Sequence, residues 1–263
     1  MSKMRQRVHS CPRLPSPVTT LTYDFQNGHV IPQHFHQEDQ LVYACRGVMT
    51  VRTGEGTWVV PAQRAVWIPA RTPHSIVMAG AVSMRTLYLR ARMVLRLPRA
   101  CCVVNVSPLL QELILHACRF PKLSRRTRTQ SRLIDFIVDQ LEAVQSVPLQ
   151  LPTPSDPRAA RVAEVLFRDP SDQSALAQIC KKAGASKRTI ERIFQMETNL
   201  TLGKWRQQLR LMRSLQLLAA GEKITHAALE AGYSTPSAFI AMFRKTLGTT
   251  PGRYFADSSN HAN

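Results

Sequence analysis

The sequence predicts an α+β chain of more than one domain: a small N-terminal antiparallel β-barrel or sandwich, a helical segment, and a C-terminal all-α domain. Three observations predict it. Between Leu21 and Leu89 the apolar residues come in short runs broken by Gly and Pro. After Ser107 the apolar spacing changes to that of helices, and near the C-terminus one helical stripe occurs twice. A length of 263 residues allows each part its own core.

The N-terminal runs are Leu41-Val42-Tyr43, Val48-Met49, Trp58-Val59-Val60, Val66-Trp67-Ile68 and Ile76-Val77-Met78. Runs this short and this evenly spaced read as strands of one small sheet system. Ser107-Pro108 then opens a helix with Leu109, Leu110, Leu113, Ile114 and Ala117 on its stripe. A second helical pattern carries Leu133, Ile134, Ile137, Leu141 and Val144. The stretch 147–157 holds four prolines and reads as a linker. The domain boundaries predicted are 19–91 for the barrel, 107–146 for a helical connector or dimerisation segment, 147–157 for the linker and 158–257 for the helical domain.

In the helical domain, Leu176, Ile179, Cys180 and Ala183 follow the i, i+3, i+4, i+7 stripe of a short helix, with Gly184 as the turn. Ser186 caps a second helix whose Ile190, Ile193 and Phe194 face inward. Lys187, Arg188, Glu191, Arg192 and Gln195 are left on the outer face, as a helix entering a major groove requires. A shift of 48 residues lands the first helix and turn on Ile224, Ala227, Ala228, Ala231 and Gly232. The second helix recurs at a shift of 49, as Phe239, Met242 and Phe243, because Thr235-Pro236 lengthens the turn by one residue. Its outer face holds Thr235, Ser237, Ile240, Ala241, Arg244 and Lys245. Between the units, Leu202 to Ala220 has no breaker after Gly203 and reads as one helix of roughly 28 Å. That is close to the ~34 Å between successive major-groove faces of B-DNA.

With 35 Lys and Arg against 17 Asp and Glu, the formal charge of +18 favours a polyanionic partner, nucleic acid before membrane. Residues 158–263 hold 16 basic and 8 acidic residues and residues 1–157 hold 19 and 9, so basicity alone does not locate the DNA-binding part. The stretch Arg119 to Arg132 has six basic and no acidic residues and reads as a solvated surface. No run of 18 apolar residues occurs, and the first 18 residues lack the apolar core of a signal peptide, so a cytoplasmic protein without a membrane partner is expected. The six cysteines Cys11, Cys45, Cys101, Cys102, Cys118 and Cys180 show no C-x-x-C spacing, and buried free thiols are expected rather than disulfides or a zinc site.

Ser186 to Phe194, Trp205-Arg206, Arg210-Leu211, Ala231-Gly232-Tyr233, Phe239, Phe243-Arg244-Lys245, Gly248 and Thr250-Pro251 together resemble the paired helix-turn-helix signature of AraC/XylS regulators over about 100 residues. In the N-terminal part, Gly28, His34, His36, Gln40 and Gly47 give G-x5-H-x-H-x3-Q-x6-G, followed by Pro69 and His74. This resembles the two motifs of a cupin barrel, a jelly roll, with Gln40 where metal-binding cupins usually carry Glu. The resemblance implies an effector-binding cupin joined to a DNA-binding domain, and a homodimer. His34, His36 and His74 are candidate ligands of a divalent metal, since His34 and His36 alternate on one strand. The same residues with Gln40, Tyr43, Trp58 and Trp67 could instead hold a small polar effector.

The leading function is a sequence-specific transcription regulator, not an enzyme, binding double-stranded DNA and a small-molecule effector, with RNA polymerase a further candidate partner. The alternatives are a metal-dependent cupin enzyme using His34, His36, Gln40 and His74, and a nonspecific DNA-packaging protein.

Overall fold

The computed structural model describes residues 16–147, 149–172 and 174–260; Cys11 and the rest of the first 15 residues lie outside them. The first half forms one antiparallel sheet of ten strands. In chain order these are β1 (Val18–Phe25), β2 (Val30–His34), β3 (Asp39–Arg52), β4 (Gly56–Pro61), β5 (Arg64–Ile68), β6 (His74–Leu89), β7 (Cys102–Asn105), β8 (Lys122–Leu123), β9 (Ser146–Val147) and β10 (Gln150–Pro152).

The long strands β3 and β6 serve two limbs. Gln40 to Ala44 pairs with β5 on one side and with Met84 to Tyr88 on the other, while Val48 to Arg52 pairs with β4 and with Ser75 to Ala79. The bend between the limbs falls at register shifts from Ala44 to Val48. Gly47 makes it possible: its φ is +76°, and a Cβ there would sit 2.6 Å from the Ala81 carbonyl oxygen. Val42, Ala44, Val66, Ile68 and Met84 of one limb meet Val51, Trp58, Ile76 and Met78 of the other in one buried core.

Alternation along β3 decides what each face does. Val42 and Ala44 join that core, whereas Leu41, Tyr43 and Cys45 join a second cluster beneath α1 (Pro108–Ala117) and α2 (Arg128–Glu142). Leu110, Ile114, Ala117, Ile134, Ile137 and Leu141 are the buried stripes of these helices. Ser107 and Thr127 accept hydrogen bonds from the Leu110 and Gln130 amides as their caps.

The stretch 147–157 is not the free linker its prolines suggest. β9 pairs with β7, and β10 pairs with β4. Proline is tolerated here because β10 is an edge strand, where a missing N–H breaks no ladder. The five cysteines among the described residues are free, with Cys45, Cys101 and Cys180 buried and Cys102 and Cys118 half-buried.

The second half is helical: α3 (Pro157–Arg168), α4 (Leu176–Lys182), α5 (Lys187–Thr198), α6 (Leu202–Ala219), α7 (Ile224–Glu230), α8 (Pro236–Leu247) and α9 (Pro251–Asn260). Helix α6 lies along the sheet. At its N-terminal end the Trp205 indole donates to the Pro152 carbonyl at 2.9 Å, and Gln208 donates to the Gln150 carbonyl. Further along, Gln216 Nε2 donates to Thr50 Oγ1 at 2.8 Å, and Gly80 of β6 sits against the Ala219 carbonyl. Tyr254 of α9 adds a hydrogen bond to the Ala62 carbonyl at 3.2 Å. The core of the sheet and that of the helices are thus one continuous cluster.

Candidate ligand site and nucleic-acid interface

The two helix pairs α4–α5 and α7–α8 follow one plan. Ile179, Cys180, Ala183, Ile190, Ile193 and Phe194 are buried in the first, and Ala227, Ala228, Ala231, Phe239, Met242 and Phe243 in the second. Ser186 Oγ accepts from the Thr189 amide and Thr235 Oγ1 from the Ala238 amide, each at 3.2 Å. Phe194 stacks edge-on against Trp205, their ring centroids 5.4 Å apart, and fixes the first pair to α6. Burying an aromatic of this size stabilises by about 1.5–3 kcal/mol.

The outer faces differ. On α5, Lys187, Arg188, Arg192 and Gln195 are exposed, and half-buried Glu191 lies 3.5 Å from Lys187. On α8, Ser237, Ala241, Arg244 and Lys245 are exposed, Ile240 is half-buried, and exposed Thr235 is occupied as the cap. At 18 residues, α6 spans about 27 Å between the pairs.

At the junction of β2, β3 and β6, the structure brings His34, His36 and His74 together, with one ligand atom from each within 4.8 Å of the others. His34 and His74 are directly paired across β2 and β6. Their Nδ1 atoms lie 2.7 and 2.8 Å from the carbonyls of Pro32 and Thr72. A carbonyl only accepts, so both Nδ1 atoms carry a hydrogen, which leaves Nε2 as the position for a metal or hydrogen-bonding ligand. Burial, with His34 and His74 as neighbours, lowers the His36 pKa to about 4. Burial likewise lowers that of His74 to about 4, against the opposing effect of the Thr72 carbonyl. Both rings are therefore neutral at pH 7.

Gln40, 2% exposed, shares this face and donates from Nε2 to the Tyr88 hydroxyl at 3.3 Å. Tyr88 also contacts the His36 ring, with centroids 4.7 Å apart. Sequence reasoning missed Tyr88; its even spacing from His74 along one strand was the available signal. Among the described residues, both nitrogens of His36, Nε2 of His74 and Oε1 of Gln40 are buried without a hydrogen-bond partner.

The structure does not bring Tyr43 and Trp67 to this cluster. Trp67 is paired with Leu41, on the face opposite Gln40, and its indole donates to the Pro98 carbonyl at 3.2 Å beside the cluster under α1 and α2. Trp58 belongs to the inner core, but its indole N–H is taken by the Cys101 carbonyl at 3.1 Å.

Residues 17–153 match the model of the AraC-like ligand binding domain, and residues 179–257 match that of a helix-turn-helix domain. The chain belongs to the AraC family of transcription regulators. It is 36% identical over 225 residues to the HTH-type transcriptional regulator NimR of Escherichia coli, covering 86% of this chain and 82% of that one. It is 24% identical over 224 residues to the virulence regulon transcriptional activator VirF of Yersinia enterocolitica, covering 82% and 79%. Among solved structures, fatty-acid-bound ToxT of Vibrio cholerae aligns over 90% of this chain and 94% of its own, at 13% identity and a TM-score of 0.39. The chain is thus a DNA-binding regulator with an N-terminal ligand-binding domain, and the reading as a cupin enzyme falls away. No helix among the described residues is long and apolar enough to cross a membrane.

Proposed function

We propose that this regulator acts in the cytoplasm as a homodimer and senses a ligand through His34, His36, His74, Gln40 and Tyr88, with α5 reading base edges and α8 chiefly holding the DNA backbone. The sensing reading rests on one observation: three imidazoles converge, and four of the cluster's buried polar atoms have no partner among the described residues. Leaving such an atom unmet costs about 1–3 kcal/mol. A ligand meeting several of them at once would bind with that energy behind it.

The same residues fit a divalent metal. Three imidazoles, two of them oriented by hydrogen bonds to backbone carbonyls, are a donor set for Zn, Fe, Ni or Cu. Such an ion would supply a Lewis-acidic anchor for an oxygen of the effector. Gln40 would stand at the edge of that set as a neutral group.

His74 begins β6, and Gly80 of the same strand touches the end of α6. Six residues of strand span about 20 Å. A ligand that shifts β6 would therefore bear on the helix that spaces the two recognition units. Leu109 and Phe136, both exposed on α1 and α2, are available to a second subunit. Activation would add a contact with RNA polymerase.

Two measurements test this. Metal content of the purified protein and of His34→Ala and His74→Ala variants decides between the ion and a purely organic ligand. In a reporter strain, both variants should lose the response to the natural effector while keeping operator affinity within a few-fold. Full induction in both would overturn the site.

A further inference from the structure

The charge of the N-terminal half is concentrated in one place. Of its 19 basic residues, ten lie between Arg90 and Arg132, with Glu112 the one acidic residue among them. The fold gathers part of this charge. The turn after β6 brings Arg90, Arg92 and Met93 against Ser124, Arg125 and Arg126, which precede α2, and together with Pro17 they line a cleft of about 570 Å³. Among the described residues, no acidic side chain lines it.

The frame of the cleft is fixed by backbone bonds. The Arg90 amide donates to the Pro17 carbonyl at 2.9 Å, and the Arg92 amide donates to Asp39 at 3.0 Å. The other Asp39 oxygen accepts from the Ala70 amide at 2.8 Å, so this carboxylate is buried and used within the fold. Ser124 is held by Gln130 at 2.9 Å. Arg125 is oriented by Asp135 at 2.6 Å. Arg90, Arg92 and Arg126 have no acidic partner among the described residues and are exposed.

We propose that this cleft is a second ligand site, for a small multivalent oxyanion: a phosphorylated or polycarboxylate metabolite. Guanidinium groups take such oxyanions two hydrogen bonds at a time, and like charges crowded into one cleft favour a ligand carrying several negative charges. The volume is that of a small-molecule pocket. DNA is the less favoured occupant. The cleft adjoins Val18, Leu89, Val94 and Leu123 of the cluster under α1 and α2, whereas the DNA-binding helices dock through α6 on the other face, against Thr50, Gly80 and Pro152. None of the residues lining the cleft belongs to the histidine cluster.

Calorimetric titration of the full chain with pyrophosphate and with citrate, at constant ionic strength set by chloride, tests the proposal. Saturable binding of at least one is expected. It should weaken tenfold or more in the Arg92→Ala/Arg126→Ala double variant. Arg96→Ala/Arg99→Ala removes the same charge from the same basic stretch but outside the cleft, and should change binding less than threefold. Should the alanine variant misfold, Arg92→Lys/Arg126→Lys keeps the charge while removing the fork, and should still weaken binding several-fold. Absence of saturable binding by both probes overturns the site, as does equal weakening by the two alanine variants. So does a double variant that leaves both probes bound but lowers affinity for a selected operator and its salt slope by about two, which would put these arginines on DNA.

Discussion

The two helix-turn-helix units share their buried faces and differ on their exposed ones. Ile190, Ile193 and Phe194 in α5 correspond to Phe239, Met242 and Phe243 in α8, all buried. Both second helices start from a hydroxyl cap. Outside, Arg188, Glu191 and Arg192 correspond to Ser237, Ile240 and Ala241. The scaffold needs volume, caps and a left-handed turn, and these leave little choice of residue. The outer face has no such demand, so its residues are free to differ between the two helices. Two guanidiniums able to grip guanine O6 and N7 stand on α5, while α8 offers a hydroxyl and two apolar groups, with Arg244 and Lys245 as cations able to meet phosphates.

The turns are the sharpest place to break the scaffold. Gly184 and Gly232 have φ of +88° and +83°. A Cβ on Gly184 would find one guanidinium nitrogen at 3.8 Å, but on Gly232 it would lie 2.7 Å from the Pro170 carbonyl oxygen. Gly184→Ala should therefore cost about 1–2 kcal/mol, from backbone conformation alone. Gly232→Ala should cost about 3 kcal/mol or more, since overpacking adds to it. Urea unfolding of the two variants measures the gap; equal losses would mean that the second turn is no tighter than the first.

Next in size, Arg192→Ala should weaken operator binding by about 1–3 kcal/mol and relax base preference in one half of the site. Arg244→Ala should weaken all sequences alike and lower the salt slope by about 1. Salt-dependent binding curves on matched and mismatched duplexes separate these outcomes.

The sensor side gives a pH-dependent effect that should leave the contrast between α5 and α8 untouched. His36 and His74 titrate near 4 when folded and at about 6.5 when unfolded. Between these values the unfolded chain binds up to about two more protons, so the stabilisation is complete above pH 6.5 and is lost as pH falls towards 4. Chelator-treated protein should show that decline in melting temperature, and His36→Gln/His74→Gln should flatten it. An unchanged slope in the variant would place the titration elsewhere.

Smallest of all, Gln216→Ala removes the 2.8 Å hydrogen bond to Thr50 and should cost about 1 kcal/mol. Its readout is the effector response, which should change more than operator affinity does. A variant with wild-type induction would show that this contact carries no coupling.

The helical half was legible because its signals are local. The stripe, Ser186 and Thr235-Pro236 set α5 and α8, and the one-residue difference in turn length is present in the structure. The sheet was legible as strands but not as pairings. β10 joins β4 across about 90 residues, and its Pro152 reads as a breaker although an edge strand tolerates it. Tyr88 meets Gln40 only through the β3–β6 register. The placement of Tyr43 with Gln40 was a misreading open to correction from the sequence itself, because residues three apart in a regular strand face opposite ways. The seat of α6 on the sheet rests on contacts such as Gln216 with Thr50, 166 residues apart, and no local pattern announces them.

The measurement that bears most directly on the unequal roles of the two units is a randomised-site selection on wild type, Arg188→Ala, Arg192→Ala, Ser237→Ala and Ile240→Ala. Unequal reading predicts that both arginine variants lose information at one cluster of base positions, while the α8 variants return the wild-type motif. If Ser237→Ala or Ile240→Ala alters the selected motif as strongly as the arginine variants do, α8 reads bases as α5 does and the account is wrong.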